Sequence, residues 1–188
     1  MKKGLIVIVA IVAVIAIIGG SLVSTYNGLV DKQADVENKE AQIQVQLQRR
    51  ADLIPNLVNT VKAYAEHEEG VYTALADARA KLNSASNPEE YNEANESFES
   101  ALSRLLVVVE NYPELKADKN FIALQDQLEG TENRLSTARK DYNDIATDYN
   151  ATIKKFPNVI FAGIFGFEKA DLFEASNESQ TVPTVNFD

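Results

Sequence analysis

A single cluster of residues, Glu66-His67-Glu68-Glu69, combines imidazole and carboxylate groups of the kind that bind metal ions. A carboxylate-histidine site inside a helical bundle needs a second Glu-x-x-His pair from another helix. The chain has only one histidine, and the two-histidine motif of zinc proteases is absent. The cluster therefore predicts a solvated helix turn in front of Gly70, and we expect no metal ion and no cofactor.

A second cluster, Arg49-Arg50, could hold a phosphate or a carboxylate, because guanidinium groups bind such anions with paired hydrogen bonds. Arg50, however, falls on the apolar stripe of a predicted helix, where Glu40 and Glu68 occupy equivalent positions. This pattern favours a polar layer whose members pair with one another and fix the register of the helices. The residues assigned to the layer are Glu40, Arg49, Arg50, Asn56, Asn59, Glu68, Glu132 and Arg134.

Composition excludes several classes of protein. The chain has 188 residues, no cysteine and a formal net charge of −10. Without cysteine there is no disulfide, thiolate nucleophile or cysteine-based metal site. An acidic protein lacks the basic surface that nucleic acids require, so no nucleic-acid partner is expected. No phosphate-binding glycine loop or nucleophile elbow is present. The chain is therefore predicted to be non-enzymatic.

The N-terminal residues 1–24 are predicted to anchor the chain in a membrane. Lys2 and Lys3 precede an uncharged apolar run from Gly4 to Val23, and about twenty such residues cross the hydrocarbon layer as a helix. A cleaved signal peptide is the alternative, although no A-x-A cleavage site is evident. The two lysines favour a cytoplasmic N-terminus, with the body outside the cytoplasm, by a margin of one or two charges.

Residues 25–156 are predicted to form an antiparallel bundle of three to four long helices. Apolar residues recur every three or four positions from Tyr26 to Leu82, which is typical of core-facing helices. Pro55 predicts a kink or a break in the first helix. That helix either folds back at Pro55 or Gly70, giving four helices, or extends as a stalk that other copies must cover. Asn87 and Asp118 are predicted to cap the two later helices.

Two segments follow the predicted bundle. Residues 157–174 are rich in phenylalanine and glycine, and as a helix their apolar part is too short to span a bilayer. This segment is expected to pack on the end of the bundle, on the membrane surface or on a neighbouring subunit. Its expected contact residues are Val159, Ile160, Phe161, Ile164, Phe165 and Phe167. Residues 175–188 are polar and aperiodic, and we expect disorder there unless a partner holds them.

Several motifs, in order along the chain, resemble those of the LemA family of bacterial membrane proteins. They are Tyr26-Asn27-Gly28-Leu29-Val30, Val36-Glu37-Asn38, the block from Gln46 to Glu68, Glu110-Asn111-Tyr112-Pro113-Glu114-Leu115-Lys116, Leu124 to Arg134, Ala138 to Asn143, Tyr149-Asn150, Phe156-Pro157, Phe165-Gly166-Phe167 and Phe173-Glu174-Ala175. The resemblance implies a single-pass anchor followed by an antiparallel helical bundle, and no established enzymatic activity. Lys39-Glu40 departs from it, because an aromatic residue is expected there in many relatives.

Together these features predict a scaffold of the bacterial cytoplasmic membrane that is anchored by one helix and self-associates through its long helices. The expected partners are the membrane and further copies of the chain. One alternative is an adaptor or modulator of a membrane protein complex, such as a membrane protease, that binds through the C-terminal segment. The other is a ligand sensor with a pocket lined by Arg49, Arg50, Asn56 and Asn59.

Overall fold

The described part of the structure is helical and contains no strand. The computed structural model describes residues 2–174, with side chains from Gly4 onward. Its helices are α1 (Lys2–Lys62), α2 (Glu69–Ser84), α3 (Pro88–Val109), α4 (Pro113–Lys116), α5 (Lys119–Lys154) and α6 (Asn158–Phe165). The predicted all-α fold is confirmed. The predicted disorder of 175–188 lies outside the described residues.

The helices belong to two compact units. The first unit contains residues 2–39 with 144–170, and the second contains residues 40–143 with 171–174. Helices α1 and α5 each contribute residues to both units. The two units are divided at other residues than the predicted anchor, bundle and apolar segment. Those predicted boundaries stay predictions.

In the first unit, the N-terminal part of α1 is apolar on every side. Most of its large apolar side chains, from Leu5 to Val23, are more than half exposed. Within the described residues, α1 is the one helix with a stretch long and apolar enough to cross a membrane. A helix that is hydrophobic all round needs an apolar surrounding. A candidate membrane-spanning stretch thus lies at the predicted N-terminal place.

Beyond the apolar stretch, α1 packs against the end of α5. Leu29 and Val36 are buried there, and Lys32 forms an ion pair with Asp148. The Lys32 ammonium holds the pKa of the Asp148 carboxyl below its ordinary value of 3.8. Both partners of this pair are more than a third exposed, so it orients the helices more than it stabilises them.

The second unit is a bundle of four long helical segments within the described residues: α1 from Glu40, α2, α3 and α5 up to Asn143. Contacts between α1 and α3 advance together along both helices, from Gln44–Tyr91 to Arg50–Glu99, so these helices are parallel. The short connection after Ser84 places α2 antiparallel to α3. A tightly packed core fills the bundle, including Leu47, Leu57, Leu75, Phe98, Leu105, Phe121 and Leu128.

The reversal between α1 and α2 lies at residues 63–68, neither at Pro55 nor at Gly70. Helix α1 is continuous through Pro55, and Gly70 lies in the first turn of α2. The turn is held by tertiary contacts. The Tyr72 hydroxyl donates to the Ala65 carbonyl, and the Tyr64 hydroxyl donates to Asp118 at 3.0 Å. The long first helix therefore folds back, as one of the two predicted arrangements required, but without using either predicted breaker.

Both predicted helix caps are confirmed. The Asn87 side chain accepts a hydrogen bond from the Glu90 amide at 2.9 Å, and Pro88 occupies the first turn of α3. Asp118 accepts from the amides of Asn120 and Phe121 at 2.8 and 3.0 Å. These bonds satisfy amides that have no partner within their own helix. Together with the Tyr64 hydroxyl, they lower the pKa of the Asp118 carboxyl.

Candidate functional site

Arg50 lies at the centre of the second unit. Its side chain is only 2% exposed, although arginine is seldom buried unless it is paired. The guanidinium donates to the carboxylates of Glu99 on α3 and Glu132 on α5, and to the side-chain oxygen of Asn95. One cation on α1 therefore connects three helices. We call Arg50, Asn95, Glu99 and Glu132 the arginine centre.

The arginine centre combines ionic and aromatic contacts. The Arg50 guanidinium carbon lies 4.4 Å from the centre of the Phe98 ring, within range of a cation–π interaction. Glu99 and Glu132 remain 46% and 37% exposed. The negative charges thus keep much of their hydration while the positive charge has lost nearly all of it. This asymmetry decides which substitution in the centre is most costly.

The other residues of the predicted polar layer differ from Arg50 in burial. Glu68 and Glu40 are half-buried, and Arg49, Asn56, Asn59 and Arg134 are exposed. Arg49, Asn56 and Asn59 thus differ in exposure from the buried Arg50, and the predicted ligand pocket stays a prediction. Arg134 instead lies on the wall of an open groove of about 470 Å³ between α1 and α5. The register-setting role of the layer stays a prediction.

A second cluster in the same unit surrounds Phe173. This residue follows α6 in an extended segment, yet its side chain is buried. Its ring centre lies 5.3 Å from the ring of Tyr142 in an edge-on arrangement and 6.2 Å from the ring of Tyr91 in a stacked one. The Arg139 guanidinium lies 5.6 Å from the same ring centre. We call these side chains, with Asn143, the aromatic clamp.

The aromatic clamp also holds the backbone of the extended segment. The Asn143 amide nitrogen donates to the Phe173 carbonyl, and its oxygen accepts from the Phe173 amide, both at 2.9 Å. The Tyr142 hydroxyl donates to the Asp171 carbonyl at 2.8 Å. A side-chain amide thus replaces the partner strand that an extended backbone would otherwise need. The clamp recognises an extended segment together with one aromatic side chain.

Burial shifts the pKa values of the clamp's ionisable side chains. It raises the pKa of Tyr142 to about 12 and raises that of Tyr91. Burial also lowers the pKa of Arg139, which nearby Glu132 partly offsets. The Nε and Nη2 atoms of Arg139 are buried without a hydrogen-bond partner, so the Phe173 ring is a principal contact of this cation. The tyrosines stay neutral donors at physiological pH.

The first unit contains a matching backbone contact and an aromatic cluster. Asn150 bonds both the amide and the carbonyl of Ala170 at 2.8 Å. The Tyr26 ring lies 4.9 Å from the Phe165 ring and 5.8 Å from the Phe167 ring. We call these three aromatic residues the membrane-proximal cluster, because Tyr26 follows the apolar stretch of α1.

The predicted contact residues of the apolar segment are largely uncovered in the described chain. Val159, Ile160, Ile164 and Phe165 are exposed, and Phe161 and Phe167 are half-buried. Ala162 is the buried residue of α6. The six residues therefore share a short helix and its C-terminal end, but most of their apolar surface faces outward.

Sequence reasoning missed most of the aromatic clamp and half of the arginine centre. Asn95 and Glu99 lie one turn apart on α3, next to stripe residue Phe98, and this spacing was a usable signal. Phe173 follows a helix end and shows no periodicity, so its burial depends on tertiary contacts. Among the described residues, no group of three or more histidine, aspartate or glutamate side chains is arranged to hold a metal ion.

Comparison with protein families identifies the chain's relatives. The sequence profile of the LemA family matches residues 39–187, which is most of the chain. The chain belongs to the LemA family. The match includes the arginine centre and the aromatic clamp, so both lie within the part of the chain that the family shares.

Curated relatives of this LemA family chain are similar over most of their length. Magnetosome protein MamQ 2 of Paramagnetospirillum magneticum is 27% identical over 93% of this chain and 73% of its own. Magnetosome protein MamQ of Magnetospirillum gryphiswaldense is 25% identical over 96% and 77%. Protein LemA of Metamycoplasma hominis is 25% identical over 80% and 69%.

Proposed function

We propose that this LemA family chain is a non-enzymatic scaffold, anchored in the bacterial cytoplasmic membrane by one helix, that self-associates through its helical body. The observation that carries the proposal is which parts of the chain α1 contains. This helix contains both the apolar stretch and the first helix of the bundle. An anchor of this kind confines copies to two dimensions, where the high effective concentration makes weak contacts sufficient. We further propose that the body lies outside the cytoplasm.

The internal pairing of the bundle's polar groups supports this proposal. The Arg50 guanidinium donates to three side chains of its own chain, and the Asn143 side chain bonds both backbone groups of Phe173. Such networks fix one arrangement of helices, which suits a body that presents surfaces to partners. The relatives named as magnetosome proteins are in keeping with a role at a bacterial membrane structure.

An exposed apolar pair on α3 supplies a surface for contact between copies. Leu106 is 37% exposed and its neighbour Val107 is 65% exposed. Adjacent exposed apolar side chains contribute to association when they are covered. We propose that copies contact one another through this surface of the second unit.

The test is the mass of the full-length chain extracted with its native lipids, measured by light scattering at several concentrations. An oligomer supports the scaffold, and a monomer at every concentration overturns it. Val107→Lys is expected to weaken association. Gln127→Lys, which adds the same charge at an exposed position on α5, is the matched control and should not.

A second candidate function is that of an adaptor, and the aromatic clamp favours it. The clamp binds an extended segment through backbone bonds and one buried phenylalanine, the mode by which many domains recognise peptides. Under this proposal, the C-terminal region joins the bundle to a membrane protein complex. Crosslinking in native membranes should then give a defined complex with another protein. Removing residues 175–188 should abolish it while the clamp stays occupied.

A further inference from the structure

Helix α6 presents an apolar face that the described chain leaves uncovered. Its eight residues, Asn158–Phe165, carry no charge. Ile164 is 69% exposed, and Val159, Ile160 and Phe165 are about half exposed. A soluble surface seldom gathers large apolar side chains in this way, and contiguous patches usually mark an interaction site. The partner of this face must itself be apolar on one side.

The membrane-proximal cluster locates this face along α1. Tyr26 lies three residues beyond Val23, the last residue of the apolar stretch. At the rise of an α-helix, this is about 4.5 Å past the end of the stretch. The head-group region is about 5–7 Å thick on each side of the hydrocarbon. With α1 spanning the bilayer as proposed above, the Tyr26 ring, and the Phe165 and Phe167 rings against it, lie at the depth of the head groups.

The dimensions and flanks of α6 suit the same location. A helix of eight residues is about 12 Å long, far too short to cross a bilayer but long enough to lie along its surface. Lys154 and Lys155 are exposed just before it, and Glu168 and Lys169 just after it. Long basic side chains at an interface extend toward the head groups while their stems stay in apolar surroundings. Tyrosine is enriched at this depth.

We propose that α6 lies in the membrane interface, with Val159, Ile160 and Ile164 inserted among the lipid acyl chains next to α1. The chain then contacts the bilayer at two places, once through the spanning helix and once through α6. Gly166 ends α6 in the left-handed conformation, with a φ of 75°, and the chain leaves the helix at this residue. A second contact limits the tilt and rotation of α1 in the membrane.

The proposal can be tested with tryptophan probes, because the chain has no tryptophan of its own. The full-length chain carrying Ile164→Trp is reconstituted in phosphatidylcholine vesicles whose lipids bear bromine at a shallow or a deep acyl position. The expected result is a blue-shifted emission that shallow bromine quenches strongly. Phe165→Trp, a ring-for-ring replacement at a position in contact with Tyr26, should behave in the same way.

Gln127→Trp provides the matched control, since Gln127 on α5 is exposed and belongs to the second unit. Its emission should be quenched weakly at either depth. The proposal is overturned if both α6 probes are quenched no more than this control. It is also overturned if the emission of the two α6 probes shifts to the blue only as the protein-to-lipid ratio rises. A second copy of the chain, and not lipid, would then cover α6.

Discussion

Asn143 and Phe173 are joined by two hydrogen bonds of 2.9 Å that pair one side-chain amide with both backbone groups of the other residue. This relationship uses a donor and an acceptor on the same side chain, which among the isosteric choices only an amide provides. It also brings the Phe173 ring against Tyr142. The extended segment after α6 is therefore bound to the bundle by one residue of α5.

Asn143→Asp should release this segment. The carboxylate keeps the acceptor but lacks the N–H donor, and it places negative charge against the Phe173 carbonyl. Leaving a buried polar group unsatisfied costs about 1–3 kcal/mol. Amide hydrogen exchange at Phe173 should accelerate by about 5- to 150-fold, which is the ratio of rates that corresponds to this loss of free energy. Asn133→Asp, exposed on the same helix, is the control. Unchanged exchange in Asn143→Asp would show that the bonds do not hold the segment.

In the arginine centre, removing the acids should cost more than removing the base. The double substitution Glu99→Gln with Glu132→Gln leaves the buried Arg50 charge without a counter-ion, which costs about 3 kcal/mol or more. Arg50→Met removes that charge and places an apolar side chain beside Phe98, so we expect a loss of about 1 kcal/mol. The two carboxylates can return to water because they are partly exposed.

Urea unfolding of the full-length variants, followed by circular dichroism, measures this order. The reverse order would mean that the charge on Arg50 is hydrated in solution. An Arg50→Met variant that matches the parent in stability and assembly would show that the polar layer does not set the register of the helices. Gln127→Lys serves here as a surface control of unchanged stability.

The sequence predicted the fold better than it predicted the site. Helix starts depend on residues that are close in the sequence, whereas turns and the site depend on residues that only packing brings together. Helix starts at Asn87 and Asp118 depend on side chains that bond amides two or three residues away, so local pattern is sufficient. The α1–α2 turn depends on Tyr72 and Ala65, seven residues apart and brought together only by packing. Helix α1 is continuous through Pro55, so the proline did not locate the turn, and the predicted kink there stays a prediction.

The candidate site was predicted in part. Arg50 was assigned to the layer from its stripe position and Glu132 from its place beside a stripe, and the two side chains form an ion pair. Their contact with Asn95 depends on which helices are neighbours, and periodicity within one helix does not give that arrangement. Phe173 carried no pattern at all, since an extended segment outside the helices gains its burial from the surface of the bundle.

The Asp118 cap predicts a dependence of stability on acid. Its amide hydrogen bonds and the Tyr64 hydroxyl lower the carboxyl pKa in the folded chain below the ordinary value of 3.8. A lowered pKa means that the contribution is complete above the unfolded-state value and is lost as pH falls through the folded-state value. Between pH 5 and pH 2, Asp118→Asn should lose less thermal stability than the parent, because asparagine caps without titrating. Asp126→Asn, exposed on the same helix, should follow the parent. If Asp118→Asn follows the parent as well, the cap does not account for the acid sensitivity.

Two glycines should respond to alanine in opposite directions. Gly70 lies in the first turn of α2, and a Cβ atom there meets nothing within 4 Å. Alanine reduces the freedom of the unfolded chain and favours the helix, so Gly70→Ala should raise the free energy of unfolding by about 0.5–1 kcal/mol. Gly166 has equally open surroundings but a φ of 75°. Alanine there should cost about 1–2 kcal/mol through backbone strain. Since space is available at both positions, the difference isolates backbone conformation. Urea unfolding of both variants measures it, and a stabilising Gly166→Ala would show that the end of α6 does not adopt the left-handed conformation in solution.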